Sequence, residues 1–465
     1  MTRREMLLRA GRGFGAVALA GLLDAFESNP LAPQRPPVPA KAKSIIYLFM
    51  HGGVSHVDTF DPKPELTRHT GQPLSVELAR TIKTSFIHDP TKAILRGSPW
   101  LFRPGGKCGT PVSDLFPHVR ERMDDIAVIR SCFGDVFDHA PAIYLRNSGS
   151  QFPGRPCLGS WIVYGLGSEN QNLPAFVVMS DGSTKSGPPA YGAGFLPAVY
   201  QGTVFRGGDD PILYLRNPEG VSGETQRETL DFVGKLDRMH DAVRPGDSTL
   251  EARIASYELA FRMQSAAPEA VDLSKESPAT HKLYGLDAKL TADFGHKCLL
   301  ARRLVERGVR FIQIYSGTNV GDDWDNAHTD LVGSHERMAG KTDRPIAGLL
   351  EDLKTLGLLE STLVVWGGEF GRTPLSQGQN GRDHHPYGFT MWMAGGGVRG
   401  GQALGATDEF GVQAVDKRVD AHDINATLLR LVGLDHEKLT YFYQGRDQRL
   451  TDVHGQNEFT KKLVA

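Results

Sequence analysis

Apolar positions gather into short, nearly unbroken runs along the chain: "SIIYLFM" (44–50), "IAVIR" (126–130), "AFVVM" (175–179), "FIQIY" (311–315), "TLVVW" (362–366) and "FTMWMAG" (389–395). Runs of this length without polar alternation predict strands buried on both faces. Between some of them the apolar period changes to that of a helix. Residues 287–307 place Leu290, Phe294, Leu300 and Leu304 near one face, with Gly308 where a C-cap glycine belongs. Residues 345–357 form a second amphipathic segment directly ahead of a strand. Helix-then-strand alternation predicts right-handed βαβ units and an α/β fold. The central sheet is then mostly parallel, with helices on both faces.

Residues 184–285 break this rhythm: Gly- and Pro-rich at first, then polar and helical, with no strong strand. They are read as an insertion that could lie over the site as a cap. The first residues, "MTRREMLLRAGRGFGAVALAGLL", pair Arg3 and Arg4 with an apolar stretch from Gly11 to Leu23. That stretch is too short for a transmembrane segment. The pattern fits a twin-arginine export signal, a basic N-terminal helix being the other reading. The Pro-rich "NPLAPQRPPVPAKAK" that comes next reads as a linker. Residues 1–43 are thus expected to be signal and linker, and 44–465 one α/β domain carrying the insertion. The expected location is periplasmic or cell-surface.

Composition adds limits. Hydrophobic residues make up 40%, charged residues 23%, and the formal charge is −2. The chain is therefore globular in composition, and with no long basic run a nucleic-acid surface is excluded as a working idea. The four cysteines, Cys108, Cys132, Cys157 and Cys298, show no metal-binding spacing.

Chemistry is expected beyond the carboxyl ends of the strands. After 44–50 come His51, His56 and Asp58; after 311–315 come Asp322, Asp323, Asp325 and His328; after 362–366 come Glu369 and Arg372. Just before 389–395 lies "GRDHHPYG", with Asp383, His384 and His385. Four distant segments thus deliver imidazoles and carboxylates to one sheet edge, the pattern expected of a metal site. Each has a plainer reading, as a hydrogen-bonded turn histidine, a solvated turn at "DNAH", or a helix-capping Glu369. The mixture of imidazole and carboxylate suits zinc, or manganese or iron, better than calcium, which takes six to eight oxygens. Arg372, and Arg155 in "GRPC", could clamp a tetrahedral anion.

The long stretches "LFMHGGVSHVDTFDPKP", "DHAPAIYLRNSG", "GRPCLGSWIVYGLGSENQNLPAFVVMSDG", "VVWGGEFGRTP", "GRDHHPYGFTMWMAGGGVRGG" and "DINATLLRLVGLDHEKLTYFYQGRD" resemble an uncharacterised exported bacterial family. That family stands beside the alkaline phosphatases and sulfatases. The resemblance implies an alkaline-phosphatase-like fold and a correspondence of positions. Glu369 stands where those enzymes have a metal-binding Asp, and Phe370 where they have a histidine ligand. Asp325 and His328 match an Asp-x-x-x-His pair shortened by one residue, and His384 or His385 matches the late single histidine. His51 stands near the acidic residue that usually comes after the first strand. His139 takes the nucleophile's place, so formylglycine has no precursor there.

The resemblance thus implies one divalent transition metal rather than two, zinc first, with Glu369, Asp325, His328 and His384 or His385 as ligands and His51 beside them. His139 is expected as nucleophile, general base or ligand, or as a neutral imidazole satisfied at a helix start. The expected function is an exported, metal-dependent hydrolase of phosphate or sulfate esters, small or glycan-borne. The alternative is a binding protein of the same fold, without turnover, acting in recognition or assembly.

Overall fold

The computed structural model describes residues 29–464 except 183, 207–210, 213–214, 216, 218, 244–247, 318–320 and 456. The Arg3–Arg4 signal lies outside the described residues. The Pro-rich stretch read as a linker lines the base of the domain from residue 29 onward. Leu31 and Ala42 are buried, Gln34 N–H donates to Leu166 O, and Lys41 N–H donates to Leu431 O.

All six apolar runs are strands of one eight-stranded sheet. In chain order these are β1 (Ser44–Phe49), β2 (Ile126–Cys132), β3 (Phe176–Met179), β4 (Thr203–Phe205), β5 (Phe311–Tyr315), β6 (Thr362–Gly367), β7 (Phe389–Gly395) and β8 (Gln402–Leu404). Across the sheet they run β8-β2-β7-β6-β1-β5-β3-β4. β4 and β8, three residues each, are edge strands too short to show a pattern. Every neighbouring pair is parallel except the two made by β7, which is antiparallel to both β2 and β6. The stacked indoles of Trp366 and Trp392, directly opposite in register with centroids 5.9 Å apart, sit at that reversal.

The longer helices are α1 (His139–Ser148), α2 (Leu158–Leu166), α3 (Gly223–Val243), α4 (Ser248–Val271), α5 (Ala292–Glu306), α6 (Leu331–Thr355) and α7 (Ala421–Leu431). β1 shows why its run lacks polar alternation. Ile45, Tyr47 and Phe49 pack with α1, α2 and α7 residues, whereas Ile46 and Leu48 pack with α5 and α6 on the other face. Each such buried aliphatic side chain contributes about 1.5–3 kcal/mol.

α5 begins at Ala292, leaving Leu290 exposed ahead of it, and ends before Gly308 at φ +80°. α6 extends well upstream of the segment predicted from 345, because Pro345 lies inside the helix rather than at its start. Of the insertion, α3 and α4 form a hairpin tied by Arg227–Glu258. α4 buries Met263, Ala267 and Ala270 in the core shared with α5.

Candidate metal centre

The reversal of β7 decides where the chemistry gathers. The segments after β1, β3, β5 and β6 leave the sheet at the edge where the chain enters β7. His51, Lys185, Asp325, Glu369 and His384 therefore meet there, joined by His139 at the first position of α1. Asp325 and His328 sit on a single 3-10 turn, Trp324–His328, whose N-cap is Asp323. Three residues per turn bring i and i+3 side chains into line, so the shortened Asp-x-x-His spacing puts both on one side. Gly52 lets this turn come close. At φ +110°, a Cβ there would lie 2.6 Å from Asp325 N.

Four donor atoms converge on Asp325 Oδ1: Arg372 Nη2 at 2.8 Å, His139 Nε2 at 2.9 Å, His384 Nε2 at 3.0 Å and His328 Nε2 at 3.1 Å. His328 Nε2 and His384 Nε2 are themselves 2.8 Å apart. The far nitrogens fix the tautomers. His384 Nδ1 lies 2.7 Å from Phe137 O, His328 Nδ1 2.5 Å from Gln377 Oε1, and His139 Nδ1 2.6 Å from Glu369 Oε1. Phe137 O and Gln377 Oε1 accept, which puts the proton of a neutral His384 or His328 ring on Nδ1, whereas His139 stands between two carboxylates and, when protonated, donates to both.

Two groups among the described residues could hold a metal ion: His139, Asp325 and His384, and His328, Asp383 and His384. Tetrahedral zinc with bonds of about 2.0–2.1 Å would set its ligand atoms roughly 3.3 Å apart, somewhat wider than the nitrogen–oxygen distances at Asp325. The residues present fit a divalent transition metal.

The electrostatics agree. Burial lowers His384 to about 3, leaving it neutral as a ligand must be. Burial works to raise the Asp325 carboxyl, but hydrogen bonds from the three histidines and the Arg372 charge hold it far below the carboxylate range. Burial likewise opposes ionisation of Glu369, and the bond and charge of His139 outweigh it. His139 is raised, burial being overcome by Asp325 and Glu369 on its two sides.

The expected residues separate on this geometry. Asp325, His328, His384 and His139 come together. Glu369, expected as a ligand, stands behind His139: its Oε1 accepts from His139 and from Gly52 N–H at 3.0 Å. It is placed as the carboxylate that orients the His139 ring. Phe370, at the position without a histidine, packs its ring on His139 and His384 at 5.0 and 4.5 Å.

His51 borders the centre, its Nε2 accepting from Lys185 N–H at 3.0 Å, and burial lowers it to about 4. His385 turns away, as the next residue in a bridged pair must. Its Nε2 faces Val412 O and its ring lies 6.1 Å from that of His56. Arg372, expected to clamp an anion, is fully buried and spent on Gly52 O, Gly53 O and Asp325. Arg155 pairs with Asp452 instead. The four cysteines are free thiols.

Two residues were missed. Lys185 reaches Asp325 Oδ2 at 2.8 Å and Asp323 Oδ2 at 3.2 Å. It comes after β3, so the strand-end rule that found the others could have found it. Phe86, exposed, stands edge-on to His328 with centroids 4.7 Å apart. Its loop is pinned by Asp383 Oδ2, which accepts from Phe86 N–H and Ile87 N–H.

The molecule is thus an α/β protein with a mostly parallel sheet and a His/Asp centre of metal-ligand character at one sheet edge. Residues 42–459 match the family described as "Protein of unknown function (DUF1501)", and the chain belongs to it. No curated protein sequence matches. Among solved structures it is similar to the PsFucS1 sulfatase from Pseudoalteromonas sp., at 13% identity over 97% of this chain and 76% of that one, TM-score 0.38. It is also similar to Ps i-CgsB in complex with k-i-k-neocarrahexaose, at 11% over 93% and 77%, TM-score 0.39. A third is the alkaline phosphatase from the Antarctic bacterium TAB5, at 11% over 77% and 92%, TM-score 0.31.

Proposed function

We propose that this protein is a metal-dependent hydrolase of phosphate or sulfate esters. In this reading it is exported by the twin-arginine route and works with one divalent transition metal, zinc first. The observation that supports it is the convergence of three imidazole Nε2 atoms on Asp325 Oδ1. Asp325, His328 and His384 would hold the ion, with His139 as the fourth group. When bound, it supplies Lewis-acid polarisation of the ester's P–O or S–O bond.

The chain's own residues do the rest. Lys185 places a positive charge at the centre for the ester's anionic group. Glu369 holds the His139 ring in one orientation and so aims its Nε2 at the centre. Phe86 walls one side against water. His139 occupies the helix start, so formylglycine chemistry is left out.

The test is elemental analysis of chelator-free protein beside Asp325→Ala and His384→Ala, followed by assays on p-nitrophenyl phosphate, p-nitrophenyl sulfate and a phosphonate monoester. About one metal per chain, absent from both variants, with turnover of any ester, is the expected result. A metal-free wild type sinks the reading. Export is checked by fractionating cells that express Arg3→Lys/Arg4→Lys, where precursor should stay in the cytoplasm. One observation favours the binding-protein alternative: Arg372 leaves no free guanidinium at the centre. Stoichiometric metal with no turnover of any ester would select it.

A further inference from the structure

The stretch from residue 64 to residue 98 leaves the sheet between β1 and β2 and carries a small core of its own. Leu66, Leu74, Ile82 and Leu95 pack there with Leu375 and Val412, apart from the two cores that flank the sheet. Its end is fastened to the segment that leads into His384. Arg96 N–H donates to Pro374 O at 2.9 Å, and the buried Arg382 guanidinium donates to Arg96 O at 3.0 Å. A stretch with its own core and buried ties is a standing wall of the centre.

Phe86 stands where this wall meets the candidate ligands. Its backbone is set from two sides. Phe86 N–H and Ile87 N–H both donate to Asp383 Oδ2, at 2.6 and 2.9 Å, and Thr84 Oγ1 closes the turn onto Ile87 O at 2.5 Å. Asp383 Oδ1 accepts from His384 N–H at 2.7 Å. One fully buried carboxylate thus ties the wall to the backbone of His384. The ring so held is nevertheless 63% exposed, its centroid 4.7 Å from that of His328 and 6.0 Å from that of His384.

A single exposed apolar side chain is ordinary. This one differs in two respects. Its backbone is already ordered, so little conformational freedom is lost when another group settles on the ring. Its ring neighbours are imidazoles of the centre, so a molecule bound at the centre is the nearest thing that can cover its open surface.

We propose that Phe86 is a specificity-determining residue, an apolar wall on which the non-reacting alkyl or aryl group of a bound ester lies. The inference rests on the hydrolase reading and adds which esters the centre prefers. Covering about 55 Å² of apolar surface is enough for a factor of about ten in affinity. A short alkyl chain lying on one ring supplies that area.

The test is calorimetric titration of the full, metal-loaded chain with methylphosphonate and hexylphosphonate, which share a headgroup and have no ester bond to cleave. Metal content is measured on the same samples. Hexylphosphonate should bind wild type about tenfold more tightly than methylphosphonate. In Phe86→Ala that ratio should fall below about threefold, and Phe86→Leu, which keeps an apolar side chain, should restore most of it. The kcat/KM ratio of hexyl to methyl phosphate, and of hexyl to methyl sulfate, should follow the same order, carried by KM. Equal binding of the two phosphonates by the wild type, or a ratio unchanged in Phe86→Ala, overturns the inference. Ester turnover with equal phosphonate binding sinks this inference alone; a Phe86-dependent preference without turnover of any ester sinks the hydrolase reading alone.

Discussion

Two buried charge clusters share the same stretches of sequence and are built in opposite ways. Asp58, seven residues past His51, meets Arg382, two residues before His384. Arg382 Nε and Nη2 reach the two Asp58 oxygens at 2.8 and 3.2 Å, Nη1 donates to Thr373 O, Nη2 also donates to Arg96 O, and Ser55 Oγ donates to Asp58. Donors and acceptors match there, and the cluster is closed. Around Asp325 the match is incomplete: His328 Nε2 and His384 Nε2 meet at 2.8 Å with both Nδ1 atoms already facing acceptors. A satisfied network explains itself as structure, and an unsatisfied one asks for something from outside.

The strongest way to sharpen that contrast is Arg382→Met. It strands the buried Asp58 charge and should cost about 3–5 kcal/mol in urea denaturation, because a broken buried pair leaves an uncompensated ion. The metal content of the molecules that fold should not change. If Arg382→Met instead strips the metal, the two clusters are not independent.

Removing the ion should come next in size. With free zinc at a hundredfold over Kd, binding adds about 2.7 kcal/mol of stability, so chelation should lower the Tm of the wild type. In His328→Ala the Tm should not respond to chelator. A wild type equally indifferent to chelator would reduce the Asp325 cluster to another structural network.

Glu369→Gln probes the support behind the centre. Loss of the carboxylate behind His139 should weaken metal affinity about 10- to 100-fold, read by competition with a colorimetric chelator. Loss as complete as in His328→Ala would make Glu369 a ligand itself.

The smallest effect belongs to the structural side. His335 is fully buried, accepts from Ser55 N–H at 3.1 Å, and burial lowers it from 6.5 to about 3. Between those values the unfolded chain holds a proton that the folded chain does not. The stability His335 contributes is therefore present above 6.5 and lost as pH falls toward 3. His335→Leu should flatten the pH dependence of chelated protein by about 1.4 kcal/mol per pH unit near pH 5. An unchanged slope would show that His335 does not titrate on unfolding.

The sheet was readable because strands buried on both faces leave apolar runs with no alternation. The direction of β7 was not, since a run of apolar residues looks the same either way, and it is this reversal that carries His384 to the shared edge. Of the paired His384 and His385, only the bridge to Arg372 and Gly371 decides which faces Asp325. Asp58 stands past a strand end as Asp325 does, and residue type alone says nothing about whether every donor has found an acceptor.

The distances along the chain have a consequence for how the protein matures. His139 and Glu369 are 230 positions apart, Arg372 and Gly52 are 320 apart, and Asp325 and His384 are 59 apart. Contacts between such remote positions form late and slowly, since long loops must close before they are rewarded. An ion held by His139, Asp325 and His384 would tie three of those distant segments together, and no fragment of the chain could capture it in the same way. Occupancy of the centre would then be a certificate that synthesis and folding have both been completed.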